Sequence, residues 1–124
     1  MGEQRVIVMR PDATRHDVIT LNPKRAKLAQ LQELVGGGNI ERVPTFKSTF
    51  VAYANENGIG LDLPSNYLAY GILLNLGFNV SSALLPGAYF GPIVLAGPNG
   101  HALSDVAIAL VDKAYDNYCN ELDG

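Results

Sequence analysis

Apolar residues in this chain come in short runs, each stopped by proline, glycine or asparagine, and that pattern excludes most architectures at once. Arg5-Val6-Ile7-Val8-Met9 is closed by Pro11, and Val18-Ile19-Thr20-Leu21 by Asn22-Pro23. Residues 40–43 end at Pro44, and Ile93-Val94-Leu95-Ala96 ends at Gly97-Pro98. Runs this short and this rich in β-branched side chains have the length of strands. None approaches the ~20 residues that a membrane span requires. The first run is continuous rather than alternating, so it is expected in a strand covered on both faces. Asp12-Ala13-Thr14 is the expected turn into the second strand.

The segments between the runs carry helical periodicity. Asn22-Pro23 predicts a helix start, with Asn22 capping free amides and Pro23 in the first helical position. Ala26, Leu28, Leu31, Leu34 and Val35 supply its apolar stripe, and Gly36-Gly37-Gly38 supplies its stop. Pro64-Ser65-Asn66 predicts a second helix running to Leu76, capped by Ser65 and ended by Gly77. Its interior, residues 67–74, is uncharged and apolar nearly all round, so two of its sides should be covered. The sheet is one cover, and a partner subunit is a candidate for the other. In residues 101–122 the spacing places Leu103, Val106, Leu110, Ala114, Tyr118 and Leu122 on one helical face, with Asp112, Lys113, Asp116 and Glu121 mostly opposite. Thr49-Phe50-Val51-Ala52-Tyr53-Ala54, then Asn57-Gly58, then Ile59-Gly60-Leu61-Asp62-Leu63 predicts a β-hairpin, because both turn positions tolerate positive φ. Strands mixed with helices define an α+β class: a small mixed or antiparallel sheet with three helices packed against it in a single domain. A chain of 124 residues is of single-domain length.

Composition narrows the functional classes. A net charge of −3 with no basic stripe lacks the footprint of a nucleic-acid binder, and Lys24, Arg25 and Lys27 are expected as a solvated helix face. One cysteine, Cys119, leaves no internal disulfide and suits a reducing compartment. The N-terminal Met1-Gly2-Glu3-Gln4-Arg5 has no signal-peptide pattern. A hydrophobic content of 48% against 17% charged residues is high for so small a domain, and it implies one apolar subunit interface, as in a homodimer.

Three elements carry a family resemblance. Leu31-Gln32-Glu33-Leu34-Val35-Gly36-Gly37 with Asn39-Ile40-Glu41 is a helix–glycine–strand unit. Asn55-Glu56-Asn57-Gly58 is followed by Leu63-Pro64-Ser65-Asn66, and Gly91-Pro92-Ile93-Val94-Leu95-Ala96-Gly97 is a glycine-bracketed strand. In order and spacing these resemble the family catalogued as domain of unknown function 3846, small proteins of phages, prophages and their bacterial hosts. The resemblance runs from about Arg5 to Gly97. It implies a family-like domain over residues 1–98, with residues 99–124 as a C-terminal helix extension packed on it, and a mobile-element accessory protein in the host cytoplasm. It implies no assigned activity.

The reactive side chains do not assemble in sequence. His16-Asp17 reads as a surface loop, since sequence neighbours rarely face each other, and His101 as a local cap. The two histidines are far apart and no ligand spacing accompanies them, so neither a metal nor a cofactor is expected. Cys119 lies near a helix C-terminus, where the dipole disfavours a thiolate. Ser65 and Ser104 are caps by position. The glycine triplet follows a helix rather than preceding one, which is the wrong order for a phosphate cradle. No catalytic residue is assigned. Asn55, Glu56 and Asn66 form the candidate ligand-binding set, because turn chemistry does not account for Glu56 or Asn66. The expectation is a non-enzymatic protein that engages a host protein or sequesters a small host metabolite. The alternatives are a small nucleotide-processing hydrolase acting through Glu56 and a virion or assembly protein.

Overall fold

The structure is a computed structural model of the chain, and it describes residues 4–43, 50–57, 61–77, 90–98 and 101–123. Five strands, β1 (Arg5–Met9), β2 (Asp17–Thr20), β3 (Ile40–Val43), β4 (Val51–Asn55) and β5 (Ile93–Ala96), make one antiparallel open sheet in the order β2-β1-β5-β4-β3. Among the described residues three helices, α1 (Lys27–Leu34), α2 (Tyr67–Asn75) and α3 (Asp105–Asp123), cover it. The α+β expectation holds, and the sheet is wholly antiparallel.

The continuous apolar strands are central, as their composition requires. On one face Ile7, Met9, Ala52, Ala54, Ile93 and Leu95 pack under α2 and α3 with Leu68, Ile72, Leu73, Ala107 and Val111. On the other, Val6, Val8, Val94 and Ala96 pack under α1 with Leu31 and Val35. Each inner strand therefore feeds two cores from alternate residues. The expected second cover of α2 is α3: a Cβ added at Gly71 would lie 2.2 Å from the Tyr118 ring, so glycine there lets the two helices touch.

Five local expectations are corrected. The hairpin at Asn57-Gly58 has no return strand in residues 61–63: Leu61 donates to the Asn57 carbonyl at 2.8 Å, and β4 instead pairs with β3 and β5. Gly58 and residues 59–60 lie outside the described residues. Helix α1 starts at Lys27 rather than at Pro23, because Asn22 closes a turn, its Oδ1 accepting from the Lys24 amide at 2.9 Å. The Gln30 side chain clamps that turn through the Asn22 amide and carbonyl at 2.8 and 2.9 Å, so Gln30 takes the buried place expected for Leu28, which is exposed. The α2 cap is Asn66, accepting from the Ala69 amide, while Ser65 bridges to Phe90. In α3 the buried face runs through Ala107, Val111 and Ala114, leaving Val106, Leu110 and Leu122 exposed. Of the expected stripe Leu103 and Ala114 are buried and Tyr118 packs against the core and Gly71, while Ala107 and Val111, each one residue on, replace Val106 and Leu110 on the inner face.

Candidate functional site

The glycine triplet stops α1 with Gly36, Gly37 and Gly38 all at positive φ, between 85° and 100°. That sharp reversal leaves helix-end carbonyls without partners, and Asn55 supplies donors. Its Nδ2 reaches the Val35 carbonyl at 3.2 Å and the Gly37 carbonyl at 2.6 Å, while its Oδ1 accepts from the Asn57 amide at 2.9 Å. Asn66 does the same between three elements. It is fully buried, donates to the Met9 and Gly91 carbonyls at 2.8 and 2.9 Å, and caps α2. Between the two asparagines lies Leu63, near Gly36 and packed so closely on Gly91 that a Cβ there would sit 2.6 Å from its Cδ1. The three sequence elements thus meet in space, and they meet as joints in the backbone. Both asparagine side chains are engaged with backbone atoms. The Glu56 side chain is exposed; its backbone amide bonds the Asn39 carbonyl at 2.9 Å.

A second cluster forms where the β1–β2 tip meets α3. His16, expected in a surface loop, is buried: its side chain is 1% exposed, and its Nε2 lies 2.7 Å from Asp112 Oδ1. Arg15 Nη2 approaches the same oxygen at 3.5 Å, and the Arg15 guanidinium lies 4.8 Å above the Tyr115 ring. The His16 ring meets Tyr115 edge-on at 5.4 Å, and the Tyr115 hydroxyl donates to the Thr14 carbonyl at 2.9 Å. Cys119, one helical turn on, is the first cause holding the Tyr115 phenol above its ordinary ionisation range; burial and the coulombic influence of Asp116 add to it, and Arg15 opposes it.

A histidine oriented by a carboxylate has the positioned half of a general base. The other half is a ring nitrogen that reaches a substrate, and His16 Nδ1 is sealed from solvent with no hydrogen-bond partner among the described residues. As it stands, the pair fastens the strand tip to the helix. Among the described residues no three His, Cys, Asp or Glu side chains converge as metal ligands. His101 is exposed, and it is Ser104 that caps α3, its Oγ accepting from the Ala107 amide at 3.0 Å. The partnership of His16 with Asp112 escaped sequence reading because 96 positions separate them. One signal was present: Ile108, Asp112, Tyr115 and Cys119 recur at helical spacing, and a carboxylate within an otherwise part-buried stripe asks for a partner.

These features define a small α+β protein, an open antiparallel sheet with helices on both faces, whose motif residues hold backbone segments together. The chain belongs to the family described as domain of unknown function (DUF3846), whose model matches residues 4–119. The match continues well past Gly97 and takes in most of α3, so the helix is not the addition to the family that the three motifs alone implied. Neither the curated proteins nor the solved structures returned a match.

Proposed function

We propose that the protein acts by occupancy: it binds a host protein in the cytoplasm of the cell that carries its phage or prophage, and turns nothing over. The observation behind this reading is the outer surface of the helical layer. Tyr67 and Leu74, seven residues apart, share one face of α2, and Val106 and Leu110, four apart, share one face of α3. All four are exposed, Tyr67 at 55% and Val106 at 71%. Single exposed apolar side chains are ordinary, whereas ridges on two helices packed together are the surface that another macromolecule covers. Capture of a small metabolite draws less support, since Asn55 and Asn66 are engaged with the backbone.

The test is affinity capture from host lysate with wild type and the double variant Val106→Asp/Leu110→Asp. Wild type is expected to retain a partner in stoichiometric amount, and the variant to lose it while keeping its circular dichroism. Retention of the same partner by the variant rejects the helical surface. Turnover of a nucleotide substrate that Glu56→Ala abolishes without unfolding establishes the hydrolase reading instead.

A further inference from the structure

We propose that β2 is a self-pairing edge, and that two copies of the chain join through it into one continuous ten-stranded sheet. The inference rests on backbone register and is independent of the helical ridges above.

β2 and β3 are the two outer strands, so each presents one row of backbone groups away from the sheet. Which residues form that row follows from the ladder. Leu21 donates to the Gln4 carbonyl at 2.8 Å, extending the β1–β2 register by one pair. Hydrogen-bonded pairs alternate with non-bonded ones, so Ile19 and Asp17 bond inward and Val18 and Thr20 point their N–H and C=O groups outward. On the other edge the Glu56 amide donates to the Asn39 carbonyl at 2.9 Å, so Glu41 bonds inward and Ile40 and Arg42 point outward.

Two antiparallel copies can place only like-classed residues opposite each other. At β3, the two registers that keep most of the strand paired set Glu41 against Glu41 or Arg42 against Arg42. Like charges directly opposed destabilise a pair, so this edge refuses a second copy of itself. At β2, a two-fold axis through Ile19 sets Ile19 against Ile19, Val18 against Thr20 and Asp17 against Leu21. No like charges face, and Asp17 is already in an ion pair with Arg10. The outward groups of Val18 and Thr20 then form two reciprocal pairs of hydrogen bonds across the axis. β-Branched residues fill the contact, Val18 is 44% exposed, and no proline or lysine blunts the strand. Because one edge accepts a copy and the other refuses it, assembly closes at the dimer.

The experiment is sedimentation velocity over a wide concentration range. Wild type is expected at twice the chain mass. Thr20→Pro removes an outward amide that no described residue of the monomer accepts, and Val18→Lys puts an ammonium on each side of the axis; both are expected to sediment as monomers with wild-type circular dichroism. Ile19→Cys in a Cys119→Ser background places two thiols at a non-bonded pair, with Cα atoms about 4.5 Å apart, within disulfide reach. Mild oxidation is expected to crosslink it between chains. Wild type that stays monomeric at about 1 mM, or a dimer that survives both Thr20→Pro and Val18→Lys, or a folded Ile19→Cys variant that does not crosslink, overturns the proposal.

Discussion

Asn66 fills three roles with one side chain: it caps α2, and it donates to carbonyls of β1 and of the segment entering β5. Replacing it with alanine removes a cap worth about 1 kcal/mol and withdraws a donor from two buried carbonyls, of which Met9 still faces Ile93 in the ladder, at about 1–3 kcal/mol in all. Asn66→Ala is therefore expected to lose about 3 kcal/mol in chemical denaturation, and Asn55→Ala to lose a comparable amount through the freed carbonyls of Val35 and Gly37. Glu56→Ala should stay within about 0.5 kcal/mol of wild type, as exposed surface changes do. Equal losses at all three positions contradict this division of roles. Tyr115 offers a titration. A phenol raised above its usual value of about 10 keeps its proton more tightly in the folded chain, so its contribution to stability is complete below that value and disappears as pH climbs through the raised one. Since Cys119 is the leading cause, Cys119→Ala, which leaves no polar atom there, should move the Tyr115 absorbance transition to lower pH, with Tyr115→Phe identifying the transition.

At the scale of elements, the contact of α2 with α3 depends on Gly71 having no side chain. A methyl there meets the Tyr118 ring, a rigid aromatic rather than a flexible chain end. Overpacking of this kind costs about 1–3 kcal/mol, against about 1 kcal/mol that alanine gains over glycine within a helix. Gly71→Ala is expected to be destabilising on balance, and Tyr118→Leu in the same chain to restore part of the loss. Additive effects of the two substitutions in a double-mutant cycle contradict direct contact. At Gly97 a Cβ lies 2.1 Å from the His101 carbonyl oxygen, so Gly97→Ala has backbone in its way and no side chain to move. The glycine-bracketed strand is thus explained at both ends by close approach: Leu63 on Gly91 and the chain itself on Gly97.

Across the whole molecule, α3 is tied to the first strands at two points. Arg5 holds its start through Asp105 at 2.7 Å and the Leu103 carbonyl at 3.3 Å, and His16 with Tyr115 holds its middle. These links span most of the chain and fasten the helix to the sheet independently of the core. Asp112→Ala leaves a buried imidazole with no partner on either nitrogen and should cost about 2 kcal/mol. The double variant His16→Phe/Asp112→Leu, which replaces both polar groups with apolar ones, should recover most of that loss. Recovery marks the pair as a fastening. A double variant that regains stability but loses partner binding assigns it a role in function instead.

Much of this protein was legible in its sequence. Breakers bounded β1, β2, β3 and β5 along the chain; β1 and β5 read as continuous apolar runs because both their faces are covered, whereas the edge strands β2 and β3 carry polar residues and were bounded by their prolines. Charge-free α2 announced a helix with two covers, and the glycine triplet announced the end of α1. What sequence spacing could not supply was the identity of partners. Asn57-Gly58 has the local chemistry of a hairpin, yet β4 pairs with β3 and β5, because pairing is decided by which strands the sheet can bury together. Val106 and Leu110 have the hydrophobicity of a core face, yet Ala107 and Val111, each one residue on, join the core in line with Ala114 and Tyr118. Asn55 and Asn66 were recognisable as polar residues in need of explanation; only the folded chain brought them to the carbonyls they satisfy, and brought His16 to Asp112. Local propensity acts between neighbours and is written along the chain, whereas hydrogen-bond partnership and close packing arise between segments that meet only when the core closes.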